Sequence, residues 1–196
     1  MTLDTGDLIN SIMQSLGRIS FIKPEDIPNI DLYMDQVTSF MDSRLKNTAR
    51  FQDKDKILTK TMINNYAKND LLPPPVKKKY NKEHVLLLIF IYYFKNVLSI
   101  NDIQRLLKPL VEKYYGKDEN IDIASIYTEA LNLGEDQVES IKKDVMEKYA
   151  QSKETFSEHE EGEEKDFLQL FSFLCMLILD VYVKKLLIEK IIDECV

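Results

Sequence analysis

Residues 85–94 read VLLLIFIYYF, ten consecutive side chains with no charge among them. A helix that is apolar nearly all round has no face to give to water, so it must sit inside a layer of other elements. The flanking residues decide what that cover can be. Upstream stand Pro73, Pro74 and Pro75, then Lys77, Lys78 and Lys79, then Asn81. Proline removes a backbone donor and restricts the residue before it, so no helix passes through 73–75. Asn81 is placed to cap the apolar helix. Downstream, Ser99 opens another helix, with Asp102 in its first turn. Before the prolines, Thr59 opens a short helix over 59–69. Its spacing puts Met62, Ile63, Tyr66 and Ala67 on one side, and Lys60, Thr61, Asn64, Asn65 and Lys68 on the other. The layout predicts an all-α chain with a minimal β-wing, a winged helix-turn-helix. In that arrangement one helix enters a groove of DNA and a basic turn grips the backbone beside it.

Charge sharpens this expectation. The chain carries a net −7 at pH 7, which does not suit a polyanion binder until it is divided by segment. Between 59 and 108 nine lysines and arginines stand against three acids, +6, which leaves −13 for the remainder. A single basic island in an acidic protein points to one surface facing a polyanion.

The remaining segments read as helical. Leu8, Ile9, Ile12, Met13 and Leu16 recur at helical spacing, with Gly17 as C-cap. A connector with two prolines comes next, and Asp31 or Asn29 is expected to cap a helix carrying Val37, Phe40, Met41 and Leu45 inward. Residues 46–56 read as a polar loop or a frayed helix end. Ile123, Ile126, Tyr127, Ala130 and Leu131 make one stripe; Val138, Ile141, Val145, Met146 and Tyr149 make another. The acidic stretch near 152–166 reads as a solvated linker, and 166–194 as one long helix. The expected division is an N-terminal helix and connector over 1–28, the winged domain over 29–115, and a helical C-terminal region over 116–196. The last helix is apolar around most of its circumference, which suits a central helix of that region or a dimer seam. Only 170–179 lack a strongly polar interruption, too short for a bilayer span of about 20 residues. The N-terminus lacks the pattern of a signal peptide, and two cysteines about 30 Å apart on one helix cannot bridge. A reducing cytoplasm is the expected setting.

The DNA reading assigns roles. Asn64 and Asn65 carry paired donors and acceptors suited to adenine edges, and Lys60 and Lys68 suit phosphate or guanine. Thr61 shares their face. Lys77, Lys78 and Lys79 would lie on the backbone and add affinity without sequence information, and Tyr80 beside them is counted with the DNA-binding residues. The plain alternative is a wet helix face and a solvated turn. Two mid-helix asparagines count against it, because asparagine is a poor helix former and Glu or Lys would serve a wet face better.

The run NNYAKNDLLPPPVKKKYNKEHVLLLIFI, followed by LSINDIQRLL, resembles the DNA-binding head of MerR-type regulators. Tyr66 falls on the second of that family's paired tyrosines, Leu71, Leu72 and Pro73 on its turn, and Tyr80 on the tyrosine closing its wing. Ser99, Ile103 and Leu107 fall on the helix after it. Asn64 stands where the family has arginine, Asn65 where it has the first tyrosine, and Asp70 where it has glycine, so phosphate-clamping roles at 64 and 65 do not carry over. More closely, LYMDQVTSF, ILTKTMINNYAKNDLLPPPVKKKY and LSINDIQRLLKPL together resemble the bacterial domain of unknown function 1836 family over most of 25–115. That resemblance implies a cytoplasmic bacterial protein and no assigned activity.

No Walker loop, dinucleotide fingerprint, nucleophile elbow or zinc spacing is present, so neither an enzyme nor a cofactor is expected. His84, at the start of the apolar helix, is expected to pack or cap, and His159 to lie in the acidic linker. The expected partners are double-stranded DNA and a second copy of the chain, with an effector or protein partner at the C-terminal helices. The competing expectation is a winged scaffold that binds proteins and no DNA.

Overall fold

The apolar segment forms the helix around which the others collect. In the computed structural model, which describes residues 5–16, 21–117 and 121–196, it belongs to a helix at Lys82–Phe94. Seven α-helices and a two-stranded ribbon frame the described chain: α1 (Thr5–Leu16), β1 (Leu32–Tyr33), α2 (Met34–Leu45), α3 (Lys60–Lys68), β2 (Lys79–Tyr80), α4 (Lys82–Phe94), α5 (Ile100–Tyr114), α6 (Ile123–Lys153) and α7 (Glu163–Cys195). The protein is therefore mostly helical. Among the described residues no helix is long and apolar enough to cross a membrane.

Contacts divide the chain into two units, one of 21–131 with 189–196, the other of 1–20 with 132–188. The division is discontinuous and does not follow the expected borders at 28 and 115. Ile22 and Ile27 join the core of the first unit, as do Ile123, Tyr127 and Leu131. The Tyr127 hydroxyl donates to the Ile22 carbonyl at 2.6 Å, fixing the early connector to the start of α6.

Within the first unit, α4 buries eight of its thirteen residues, from His84 to Ile89 with Ile91 and Tyr92. Around it lie Val37, Met41 and Leu45 of α2, Ile63 and Tyr66 of α3, and Ile103 and Leu107 of α5. Three caps agree with the sequence. The Thr59 Oγ accepts from the Met62 N–H at 3.1 Å, the Asn81 Oδ1 from His84 N–H at 3.0 Å, and the Ser99 Oγ from Asp102 N–H at 3.2 Å. The cap of α2 does not: Tyr33 rather than Asn29 or Asp31 precedes the helix, and the Gln36 Oε1 accepts the Tyr33 N–H at 2.8 Å. Residues 32–33 are engaged in strand pairing, which moves the helix start to 34.

α6 starts in the first unit and runs on into the second as one continuous helix, so the two expected stripes share a rod. It forms an antiparallel hairpin with α7: Tyr149 meets Phe173 edge to face at 5.4 Å, Gln169 donates to the Lys153 carbonyl at 2.8 Å, and Lys148 lies 3.7 Å from Asp180. The linker between them is shorter than expected, because Glu163, Glu164 and Asp166 form the first turn of α7, where acids favour the positive end of the helix. Both cysteines lie on α7 and are unpaired. Of the α1 stripe, Ile9 is buried, Met13 half-buried and Ile12 exposed. Gly17 and the side chains of Leu8 and Leu16 lie outside the described residues.

Candidate nucleic-acid interface

The polar side of α3 is bare. Lys60, Thr61, Asn64, Asn65 and Lys68 are all exposed, whereas Ile63 and Tyr66 are buried and Met62 and Ala67 half-buried. The amide groups of Asn64 and Asn65 have no side-chain partner among the described residues. Nine residues at ~1.5 Å each give a rod about 13 Å long. Lys60 is engaged by Asp35 of α2 in an ion pair that local sequence patterns do not reveal.

α3 closes on a tight turn. Leu71 N–H donates back to the Tyr66 carbonyl at 2.9 Å, and Asp70, between the two, has φ +54°. This is a Schellman ending, whose left-handed position favours glycine and tolerates Asp. The chain then turns Leu71 and Leu72 into the core and leads into the prolines.

The lysine run is a two-residue hairpin. Val76 and Lys79 exchange backbone hydrogen bonds of 3.1 and 2.9 Å, with Lys77 and Lys78 as the loop, both left-handed at φ +50° and +64°. Such a turn normally takes Asn-Gly, because an L side chain in this conformation costs about 1–2 kcal/mol. Two lysines therefore stand at the tip of a strained turn, exposed and without partners among the described residues. Lys79 is half-buried, its ammonium 5.3 Å from the Tyr33 ring centroid. The ribbon is completed by Leu32 opposite Tyr80 and Tyr33 opposite Lys79.

Tyr80 is a correction. Expected beside the lysines on the outer surface, it is 2% exposed and its hydroxyl is pushed up in pKa by burial. Alternation along the strand explains this, since successive strand residues point to opposite faces. Its ring meets His84 edge to face at 5.4 Å.

His84 is the anchor that sequence reading left undecided between packing and capping. It does both. It is 1% exposed, and its Nδ1 accepts the Asn81 N–H at 3.1 Å, while Tyr115 OH lies 3.0 Å away. Burial lowers its pKa, with the carbonyls of Pro74 and Pro73 acting against the shift. A neutral imidazole thus joins the α4 start, the proline turn and the end of α5. Its position three residues after Asn81, where a capping box has Glu or Gln, is the signal that could have identified it.

The expected residues therefore separate. Lys60, Thr61, Asn64, Asn65 and Lys68 share the α3 face, Lys77 and Lys78 occupy the hairpin tip, Lys79 lies against Tyr33, and Tyr80 belongs to the core. No curated protein and no solved structure matches the chain. The family model described as "Domain of unknown function (DUF1836)" matches residues 22–130, which closely follow the first structural unit. As that match spans more than half of the chain, the protein belongs to the domain of unknown function 1836 family.

Proposed function

We propose that the protein is a sequence-selective DNA-binding regulator of transcription, built on a MerR-like winged helix-turn-helix and acting as a dimer. α2 and α3 are the helix pair, with α3 as the recognition helix, and the Val76–Lys79 hairpin is the wing. The observation that carries this reading is the bare amide face of α3 beside a hairpin that spends conformational strain to present two lysines. Strain retained at a surface tip favours a role for the side chains there over a role in folding. A rod of this length suits a major groove about 12 Å wide, where Asn reads adenine bidentately. The apolar surface left exposed on α7 supports self-association. A two-fold dimer would set two α3 faces about 34 Å apart, one turn of DNA.

Selection from randomised duplexes at low salt tests the proposal. Wild-type protein enriches a motif, and Asn64→Ala retains duplex affinity while the motif degrades. If the protein retains no duplex and instead retains a protein partner that is lost with Lys77→Glu, the scaffold serves protein recognition.

A further inference from the structure

The loop between α2 and α3 holds a second basic feature that the DNA reading does not use. Arg50, Lys54 and Lys56 of the loop and Lys95 at the end of α4 line a concavity of about 600 Å³. Its size is that of small-ligand sites, which run about 300–1,000 Å³. Its lining includes one carboxylate, Asp55, and that group is already engaged in accepting the Phe51 N–H at 3.0 Å. None of the four cations forms an ion pair among the described residues. Elsewhere in the same unit Arg44, Lys60, Arg105 and Lys108 each face an acid.

Lys95 is the most telling of the four. It is half-buried, donates to the Ile57 carbonyl at 2.9 Å, and lies 4.9 Å from the Tyr92 ring centroid. A carbonyl dipole and a ring face hold an ammonium in place without neutralising it, and its burial lowers its pKa. An incoming anion would supply the missing charge. Thr48 and Asn96 add a hydroxyl and an amide to the same wall. The Thr48 hydroxyl is bonded to Tyr92 OH at 2.6 Å, and the Asn96 amide holds the Tyr92 carbonyl at 3.0 Å, so the floor is braced.

We propose that this concavity binds a small polyanion bearing phosphoryl groups. Lys95 is its fixed floor contact, and Arg50, Lys54 and Lys56 pair with the phosphoryl oxygens from the rim, Arg50 in the bidentate geometry a guanidinium allows. A duplex carries its phosphates on a stiff convex backbone and does not reach a recessed ammonium, which favours a small ligand over DNA here.

The probe is inorganic tripolyphosphate, titrated calorimetrically into the full chain at low salt, with potassium chloride of equal ionic strength as control. One saturable site per chain is expected. Lys95→Met should weaken it at least tenfold. Because Lys95 also braces the loop, the exposed pair Arg50→Ser and Lys54→Ser provides a second test; it should weaken binding similarly while leaving the melting temperature of the ligand-free protein unchanged. Lys77→Glu with Lys78→Glu should alter the affinity less than twofold. The proposal is overturned if no saturable site appears, or if all these variants weaken binding equally, which would mark diffuse charge attraction. It is also overturned if the loop variants leave tripolyphosphate binding intact and reduce only binding to duplex DNA.

Discussion

Two helices of this chain are strongly apolar, and they meet opposite fates. α4 buries eight of thirteen residues, while α7, with 33, buries Gln169, Phe173 and Ile192 and leaves Phe167, Phe171, Ile178, Val181 and Leu187 more than half exposed. Composition separates them only in part: α7 carries more charge at its two ends, yet both contain a ten-residue run free of charged side chains, 85–94 in α4 and 170–179 in α7. α4 is thirteen residues long and set among α2, α3 and α5; α7 is about 50 Å long, and a single hairpin neighbour of similar length, α6, covers only part of its circumference. Apolarity tells how much cover a helix requires, and the number of neighbours tells whether the chain itself supplies it.

The largest test of this contrast compares one truncation in each helix. Leu87→Ala should cost about 2–5 kcal/mol in urea unfolding, the range for a fully buried leucine. Ile178→Ser should change stability by no more than about 0.5 kcal/mol in dilute protein, as for surface sites. A comparable cost at Ile178, growing with protein concentration, would show that a second copy covers α7 in solution. The hairpin tip offers the next largest effect. Lys77→Asn with Lys78→Gly relieves both left-handed lysines and should add about 1–3 kcal/mol of stability. The same change should weaken duplex binding, a trade of stability for function.

A smaller gain is expected inside the α4 layer. The Tyr93 hydroxyl is buried without a partner among the described residues, and burial pushes its pKa up to about 12. Tyr93→Phe removes an unsatisfied group and should stabilise by about 1 kcal/mol in thermal or urea melts. The last effect is a pH slope. His84 keeps its folded pKa below the ordinary 6.5, so the unfolded chain takes up a proton first as the pH falls through that value. Stability is then lost from about pH 6.5 downward, at up to about 1.4 kcal/mol per pH unit, until the folded state's own pKa is reached. His84→Gln keeps a side chain able to reach the Asn81 N–H and removes the titration. Urea midpoints measured about 1.5 pH units below and 0.5 above that 6.5 should lie closer together in this variant than in wild type. Equal spacing in both would show that another group carries the slope.

Much of the first unit was legible because its signals are local. Thr59, Asn81 and Ser99 cap helices through atoms three residues away, and face segregation on α3 needs only the helical period. Asp70, just past the end of α3, adopts the left-handed conformation that glycine favours. What escaped the sequence depends on distance along the chain. The pairing of Leu32 with Tyr80 turned Tyr80 inward and moved the α2 cap to Tyr33. The ion pair of Lys60 with Asp35 and the gathering of Arg50, Lys54 and Lys56 around Lys95 join elements that no local pattern connects. The merging of two stripes into α6 escaped for a different reason, since residues 132–137 continue neither stripe although the helix runs through them.

The central claim is that α3 and the lysine tip meet the DNA groove and backbone together. The most direct measurement is the dependence of duplex affinity on salt, by fluorescence anisotropy, for wild type and for Lys77→Glu with Lys78→Glu. The account predicts a steep fall of log affinity with log salt in wild type. It predicts a slope shallower by about 2 in the variant, about one for each phosphate no longer neutralised. Duplex binding with the same slope in both proteins, or no duplex binding at about 50 mM salt, would contradict it.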